Sequence, residues 1–170
     1  MKFFLIEADS RMGQTRFLDW HNNTNHNQLE TFDFPRLTNF SVSLTGDSEF
    51  LDIISAPRIM LSKEFSMLVQ MYDEAISFKY ATLYDAKNKR HMTYGLPCLE
   101  LVDCLSSQSR LDQAKDLTGS VVLRKEAVRG RTLFQIDGVK THYYVASLEL
   151  VESAFRREVR GLKVSEVELV

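Results

Sequence analysis

Apolar residues recur at steps of three and four across residues 62–76. Phe65, Leu68, Val69, Tyr72 and Ile76 form the single stripe expected of an amphipathic α-helix. Ser62 precedes them as an N-cap, and Glu64 puts negative charge in the first turn, where the helix dipole favours it. The pattern returns after Ser147, with Glu149 in the first turn and Leu148, Val151, Phe155 and Val159 as the stripe, Ala154 beside it. Gly161 suits the left-handed position that ends a helix. Shorter runs read as strands: Phe3 to Ala8, 38–44, 50–54, Ser77 to Leu83, 92–104, 120–124, 132–136, 142–146 and Leu162 to Leu169. Pro97 interrupts one of them and points to an edge or a bulge. Asn88 to Arg90 and Gly130 mark turns, and Asp137-Gly138 is a hairpin signal.

Residues 58–84 and 143–169 therefore share one order: short strand, capping Ser, amphipathic helix, strand. Aligning Ser62 with Ser147 pairs Glu64 with Glu149. Aligning Phe78-Lys79 with Leu162-Lys163 takes a one-residue shift within the helix. The roughly 15 residues between each Ser and the next strand suffice for a crossover, right-handed where the strands are parallel neighbours. The expected fold class is α+β: a mixed or mostly antiparallel sheet, two amphipathic helices and an internal strand–helix–strand repeat.

Length and composition add bounds. The 170 residues, 44% apolar and 26% charged, suit one domain over 1–170. A chain of this size buries roughly 70% of its unfolded surface and needs no metal or disulfide for stability. The net charge of −2 is not the balance of a nucleic-acid binder, which needs a basic excess to neutralise phosphates. The charge is uneven: residues 1–85 carry 7 Lys/Arg against 12 Asp/Glu, and residues 86–170 carry 14 against 11. Cys98 and Cys104 read as two reduced thiols. The apolar run Phe3-Phe4-Leu5-Ile6 is shorter than the roughly 7–15 residues of a signal-peptide core. No stretch approaches the roughly 20 apolar residues of a membrane span. A cytoplasmic protein without membrane contact is expected.

The inventory of reactive motifs is sparse. No glycines are spaced as a phosphate cradle, and neither a nucleophile elbow nor a zinc-helix motif occurs. His21 and His26 lie five apart in a polar, Asn-rich loop, where solvated histidines fit better than metal ligands. Cys98 or Cys104 with His91 or His142 would make a nucleophilic dyad, but both cysteines stand in apolar strand patterns typical of buried thiols. Asp47, Glu49 and Asp52 form an acidic cluster, either a patch for a basic partner or a solvated loop. Lys87-Lys89-Arg90 and Arg156-Arg157-Arg160 read as solvated basic faces. Asp73 and Glu74 are adjacent on a helix and point apart, which does not suit paired acid–base work. No cofactor or metal is implied.

Several blocks in order carry a family resemblance: Leu99-Glu100-Leu101-Val102-Asp103-Cys104-Leu105, Leu133-Phe134-Gln135-Ile136, Tyr144-Val145-Ala146-Ser147 leading into a helix, and Arg160-Gly161-Leu162-Lys163-Val164. The earlier segment Pro57-Arg58-Ile59-Met60-Leu61-Ser62 fits too. Residues 98–169 resemble the C-terminal part of a bacterial immunity-protein family, the eleventh named class of polymorphic toxin systems and formerly a domain of unknown function. Residues 1–50 match loosely, and Ser106, Ser107 and Ser109 depart from the acidic residue expected after Leu105. The resemblance implies a protein with no catalytic residues that binds and neutralises a cognate toxin protein. Its contact surface is expected in loops, which carry recognition: His21, Asn23 and His26 in the polar loop, and Asp47, Glu49 and Asp52 in the acidic cluster. A non-catalytic adaptor unrelated to toxins, or a cysteine-dependent enzyme, are the alternative readings.

Overall fold

The computed structural model describes residues 1–20, 30–45 and 49–170. Its early strands are β1 (Phe3–Ala8), β2 (Thr15–Phe17), β3 (Leu37–Leu44), β4 (Ile53–Ile54) and β5 (Met60–Leu61), followed by helix α1 (Lys63–Tyr72). Next come β6 (Phe78–Asp85), β7 (Arg90–Pro97), β8 (Leu101–Val102), β9 (Arg110–Leu111), β10 (Leu117–Thr118) and β11 (Val122–Leu123). The chain ends with α2 (Lys125–Val128), β12 (Leu133–Ile136), β13 (Tyr144–Ser147), α3 (Leu148–Arg156), β14 (Leu162–Glu166) and β15 (Glu168–Leu169). The class is α+β with mixed sheets. The β3–β6, β8–β12 and β11–β15 pairs are parallel, while β6–β7, β1–β13 and β12–β13 are antiparallel.

Contacts concentrate in two compact units, each discontinuous in sequence. One comprises Met1–Glu7, Leu99–Glu158 and Lys163–Val170; the other comprises Ala8–Cys98 and Val159–Leu162. The span expected as one domain is organised in this way.

The second of these units is built on a six-stranded sheet, ordered β2-β3-β6-β7-β5-β4. Both β5 and β6 run antiparallel to β7, so they are parallel to each other with β7 between them. α1 joins them by crossing over β7. Ser62 starts the helix by accepting the Phe65 N–H on its hydroxyl, and Phe65, Ser66, Leu68 and Val69 are buried. Gly95 of β7 sets the approach: a Cβ there would stand 2.5 Å from Ser66 Oγ and 2.8 Å from Phe78 Cδ1. The other sheet face holds Phe40, Val42, Ala81, Leu83, Tyr94 and Leu96 against Trp20 and Phe34. Trp20 stacks on Phe40 with ring centroids 4.9 Å apart.

The first unit repeats the construction in its sheet β14-β1-β13-β12-β8. β1 is antiparallel to β13, with Phe3 opposite Ser147. Lys2 pairs with Glu166 and Lys163 with Glu7, which makes β14 antiparallel to β1 as well. β13 and β14 are thus parallel with β1 between them, joined by α3, which Ser147 caps through the Leu150 N–H. The buried residues of α3 are Leu150, Val151, Ser153 and Ala154. Counted from the capping Ser, they occupy the same four positions as in α1, so the repeat is in register through the packed turns. The one-residue shift falls where α1, of 10 residues, outruns α3, of 9. The centre strand differs in origin: β7 follows β6 through a hairpin, whereas β1 opens the chain.

Several expectations need correction. The paired strands of each repeat are not neighbours, because a third strand lies between them. Phe155 is half-exposed and Val159 lies beyond α3, so the helix buries Leu150 and Ser153 instead. Glu158, not Gly161, takes the left-handed position after α3, at φ 56°. Gly161 has φ 82° in a later turn, where a Cβ would meet Leu51 at 2.8 Å. Tyr72 is exposed. The run 92–104 divides after Pro97 into β7 and β8, as a residue without an N–H dictates.

Two stability outcomes are expected. Gly95→Val forces α1 away from β7 and should cost about 1–3 kcal/mol in urea unfolding, with an unchanged midpoint showing that the helix does not rest there. Ser62→Ala and Ser147→Ala should each cost about 1 kcal/mol through the lost cap, and a cost in one alone would break the equivalence of the two helices.

Candidate functional site

Alternation along β3, β6 and β7 sends one set of side chains to the core and the other to the opposite face. The cross-strand register assembles that second set. Leu37 lies opposite Tyr80, Asn39 opposite Thr82 and Ser41 opposite Tyr84. Across the next ladder Tyr84 is opposite His91 and Thr82 opposite Thr93, and Arg16 of β2 joins the face opposite Ser43. The Thr82 and Thr93 hydroxyls share a hydrogen bond of 2.9 Å. The Tyr84 and His91 rings lie 5.7 Å apart.

α1 covers only the end of this face where Gly95 and Phe78 lie. A trough of about 300 Å³ runs between helix and sheet, lined by Lys63, Ser66, Met67 and Gln70 on one side and Phe78, Tyr80 and Thr93 on the other. Beyond it the face is open among the described residues. Tyr80 is 42% exposed, Tyr84 47%, Leu37 55% and Met67 55%, an uncommon concentration of large apolar groups for surface positions. The hairpin turn at the far end carries Lys87 and Lys89, both exposed. Asp85 anchors that turn from the core side by accepting from the Asn88 side chain at 2.6 Å; this bond holds its carboxyl below the ordinary range.

Of the residues picked from sequence, His21, Asn23, His26 and Asp47 lie outside the described residues. Glu49 and Asp52 are brought together by Arg160. Glu49 Oε2 takes the guanidinium Nη1 at 2.7 Å, and Asp52 Oδ2 takes the Arg160 backbone N–H at 2.7 Å. A second guanidinium nitrogen donates to the Phe50 carbonyl at 3.0 Å. This clamp neutralises part of the acidic cluster within the molecule. A cavity of about 310 Å³ borders Glu49, with Ser10, Gln14, Thr15 and Ser55 among its walls; Ser55 Oγ already accepts the Ala8 N–H.

The thiols are poorly placed for chemistry. Cys104 is buried, and burial, reinforced by the Asp103 carboxylate, pushes its thiol up to about 11, far from the thiolate that nucleophilic attack requires. Cys98 follows β7 at one end while His91 lies near the other, about 20 Å away at the strand's rise per residue. His142 Nδ1 is 2.8 Å from the Gln135 amide nitrogen. Among the described residues no group of three or more His, Cys, Asp or Glu is placed to hold a metal ion, and no helix is long and apolar enough to cross a membrane.

The periodicity that reveals the two helices does not reveal the open face, whose signal is Tyr80-Ala81-Thr82-Leu83-Tyr84: aromatic residues at the outward positions of an alternating strand. Met67, off the helix's apolar stripe, was the second clue.

The fold and site define an α+β protein with one partly uncovered sheet face and no assembled reactive centre among the described residues. Scans against protein-family models and against curated proteins return no match for this chain.

The Glu49–Arg160 hydrogen bond, followed by their charge attraction, holds the Glu49 carboxyl below its ordinary 4.5. The unfolded chain therefore takes up that proton first as pH falls. The contribution of this pair is complete above pH 4.5 and is lost as pH drops through the lower folded value. The urea midpoint should fall below pH 4.5 and less steeply in Glu49→Gln; identical slopes would show that the clamp does not form in solution.

Proposed function

We propose that the chain is an immunity-type protein that acts in the cytoplasm of the producing cell. It holds a toxin, encoded beside it, in an inactive complex. The observation that carries the reading is the uncovered sheet face with Leu37, Met67, Tyr80 and Tyr84 exposed together. An inhibitor of this kind needs no reactive group. It needs a firm surface that can contribute to an interface of about 1,600 Å² and supply aromatic anchors. A two-ladder sheet backed by a packed aromatic core gives that firmness, because hydrogen-bonded strands move little on docking.

The toxin class of partner is supported by the ordered resemblance between Cys98 and Leu169. Its blocks occupy β8, β12, β13 with the start of α3, and the turn into β14, all within the first unit except Arg160–Leu162. The thiol reading loses ground to the binding reading on the buried, protonated Cys104.

Co-expression of the chain with the toxin gene that adjoins its own should restore growth, and the two proteins should elute together in size-exclusion chromatography. Absence of both rescue and complex would reject the proposal.

A further inference from the structure

We infer that the open face of β3, β6 and β7 takes an acidic segment of the partner, one whose apolar side chain enters the trough beside α1. The inference rests on the function proposed above and names the chemistry of its contact.

Charge complementarity carries it. The protein is net negative, and its first 85 residues are strongly so. Yet the outward positions of this face hold no carboxylate: they are Arg16, Leu37, Asn39, Ser41, Ser43, Tyr80, Thr82, Tyr84, His91 and Thr93. Lys63 is the charged residue in the trough wall, and Lys87 and Lys89 flank the far end. Among the described carboxylates of the second unit, Asp85 sits on the core side, Glu49 is engaged by Arg160, and Asp19, at the β2 edge of the face, accepts the Ser41 N–H. Arg16, Lys63, Lys87 and Lys89 at the edges steer a negative partner, and Leu37, Tyr80 and Tyr84 on the face then seat it by desolvation. The trough, at about 300 Å³, has room for a Leu, Met or Phe side chain against Phe78 and Met67. A nucleic acid fits less well, because a phosphate backbone needs a continuous basic track and here the cations stand apart at the edges.

The test uses the full chain and the toxin whose gene adjoins its own, by calorimetry and stopped-flow mixing. Tyr80→Ala with Tyr84→Ala should weaken binding about thirtyfold or more. Met67→Asp changes an exposed side chain and leaves the fold intact, and should weaken binding about tenfold by placing a carboxylate in the trough. Arg16→Glu with Lys63→Glu should slow association about tenfold at low salt and little at high salt. Melting temperatures identify any variant that fails to fold, and Met67→Asp then decides. Unchanged affinity in Met67→Asp, with the wild-type complex intact, overturns the inference and leaves the proposed function standing. Displacement of the toxin by poly-uridylate RNA, lost in the tyrosine variant, overturns the acidic-segment assignment. Failure of the wild-type chain to bind its toxin at all overturns the function, and this surface with it.

Discussion

α1, like any α-helix, is about 10 Å across with its side chains, whereas six strands at their usual spacing span roughly 24 Å. Since it must join β5 to β6, it lies over β7, and Gly95 lets it settle there against Phe78 and Ser66. Much of the second unit's surface arises from this mismatch. Where the side of the helix meets the sheet there is a trough; past the helix no element among the described residues covers the sheet. The side chains left outside are of two kinds. Asn39 and Ser41 are exposed, and the buried Thr82 satisfies its hydroxyl through the cross-strand bond to Thr93. Tyr80 and Tyr84 have apolar bodies and polar tips, the combination that tolerates both water and a dry interface.

The first unit answers the same requirement by another route along the chain. Its centre strand is β1, so Phe3 meets Ser147 across most of the sequence, while the equivalent strand β7 pairs with β6 through a short turn. The repeat is permuted: one copy takes its middle strand from the segment just after its own last strand, the other from the chain's beginning. Gly95, opposite Leu61, and Phe4, opposite Ala146, hold matching positions. A large residue on the strand of one copy thus corresponds to none on the strand of the other.

The sequence made the local devices legible. Ser62 and Ser147 cap because their hydroxyls have an N–H to accept three residues on, and the apolar steps after Ser62 reflect 3.6 residues per turn. Pro97 ends a strand for want of a donor. The features that stayed hidden depended on long-range pairing. Phe155 sits on the helical stripe by spacing, yet α3 faces its sheet through Leu150 and Ser153, a rotation set by where β1 and β13 lie. β2 is three residues long and carries no periodicity to read. The open face is not legible because alternation separates two sides of a strand without saying which one a single helix will cover.

Charge shows the same division between chain and surface. Asp47, Glu49 and Asp52 cluster in sequence, but Arg160, over a hundred positions away, engages two of them. The basic run from Arg156 to Arg160 is likewise dispersed: Arg156 pairs with Glu152 on its own helix, and Arg160 closes the clamp in the other unit. Exposed pairs such as these contribute about 1 kcal/mol or less each, and they remove the patches that a linear count of charges suggests. The face joins β3 and β6 of the acidic half to β7 of the basic half, and its outward strand positions hold no carboxylate. Folding has redistributed the charge by pleat and register, so complementarity to a partner is a property of β3, β6 and β7 laid side by side.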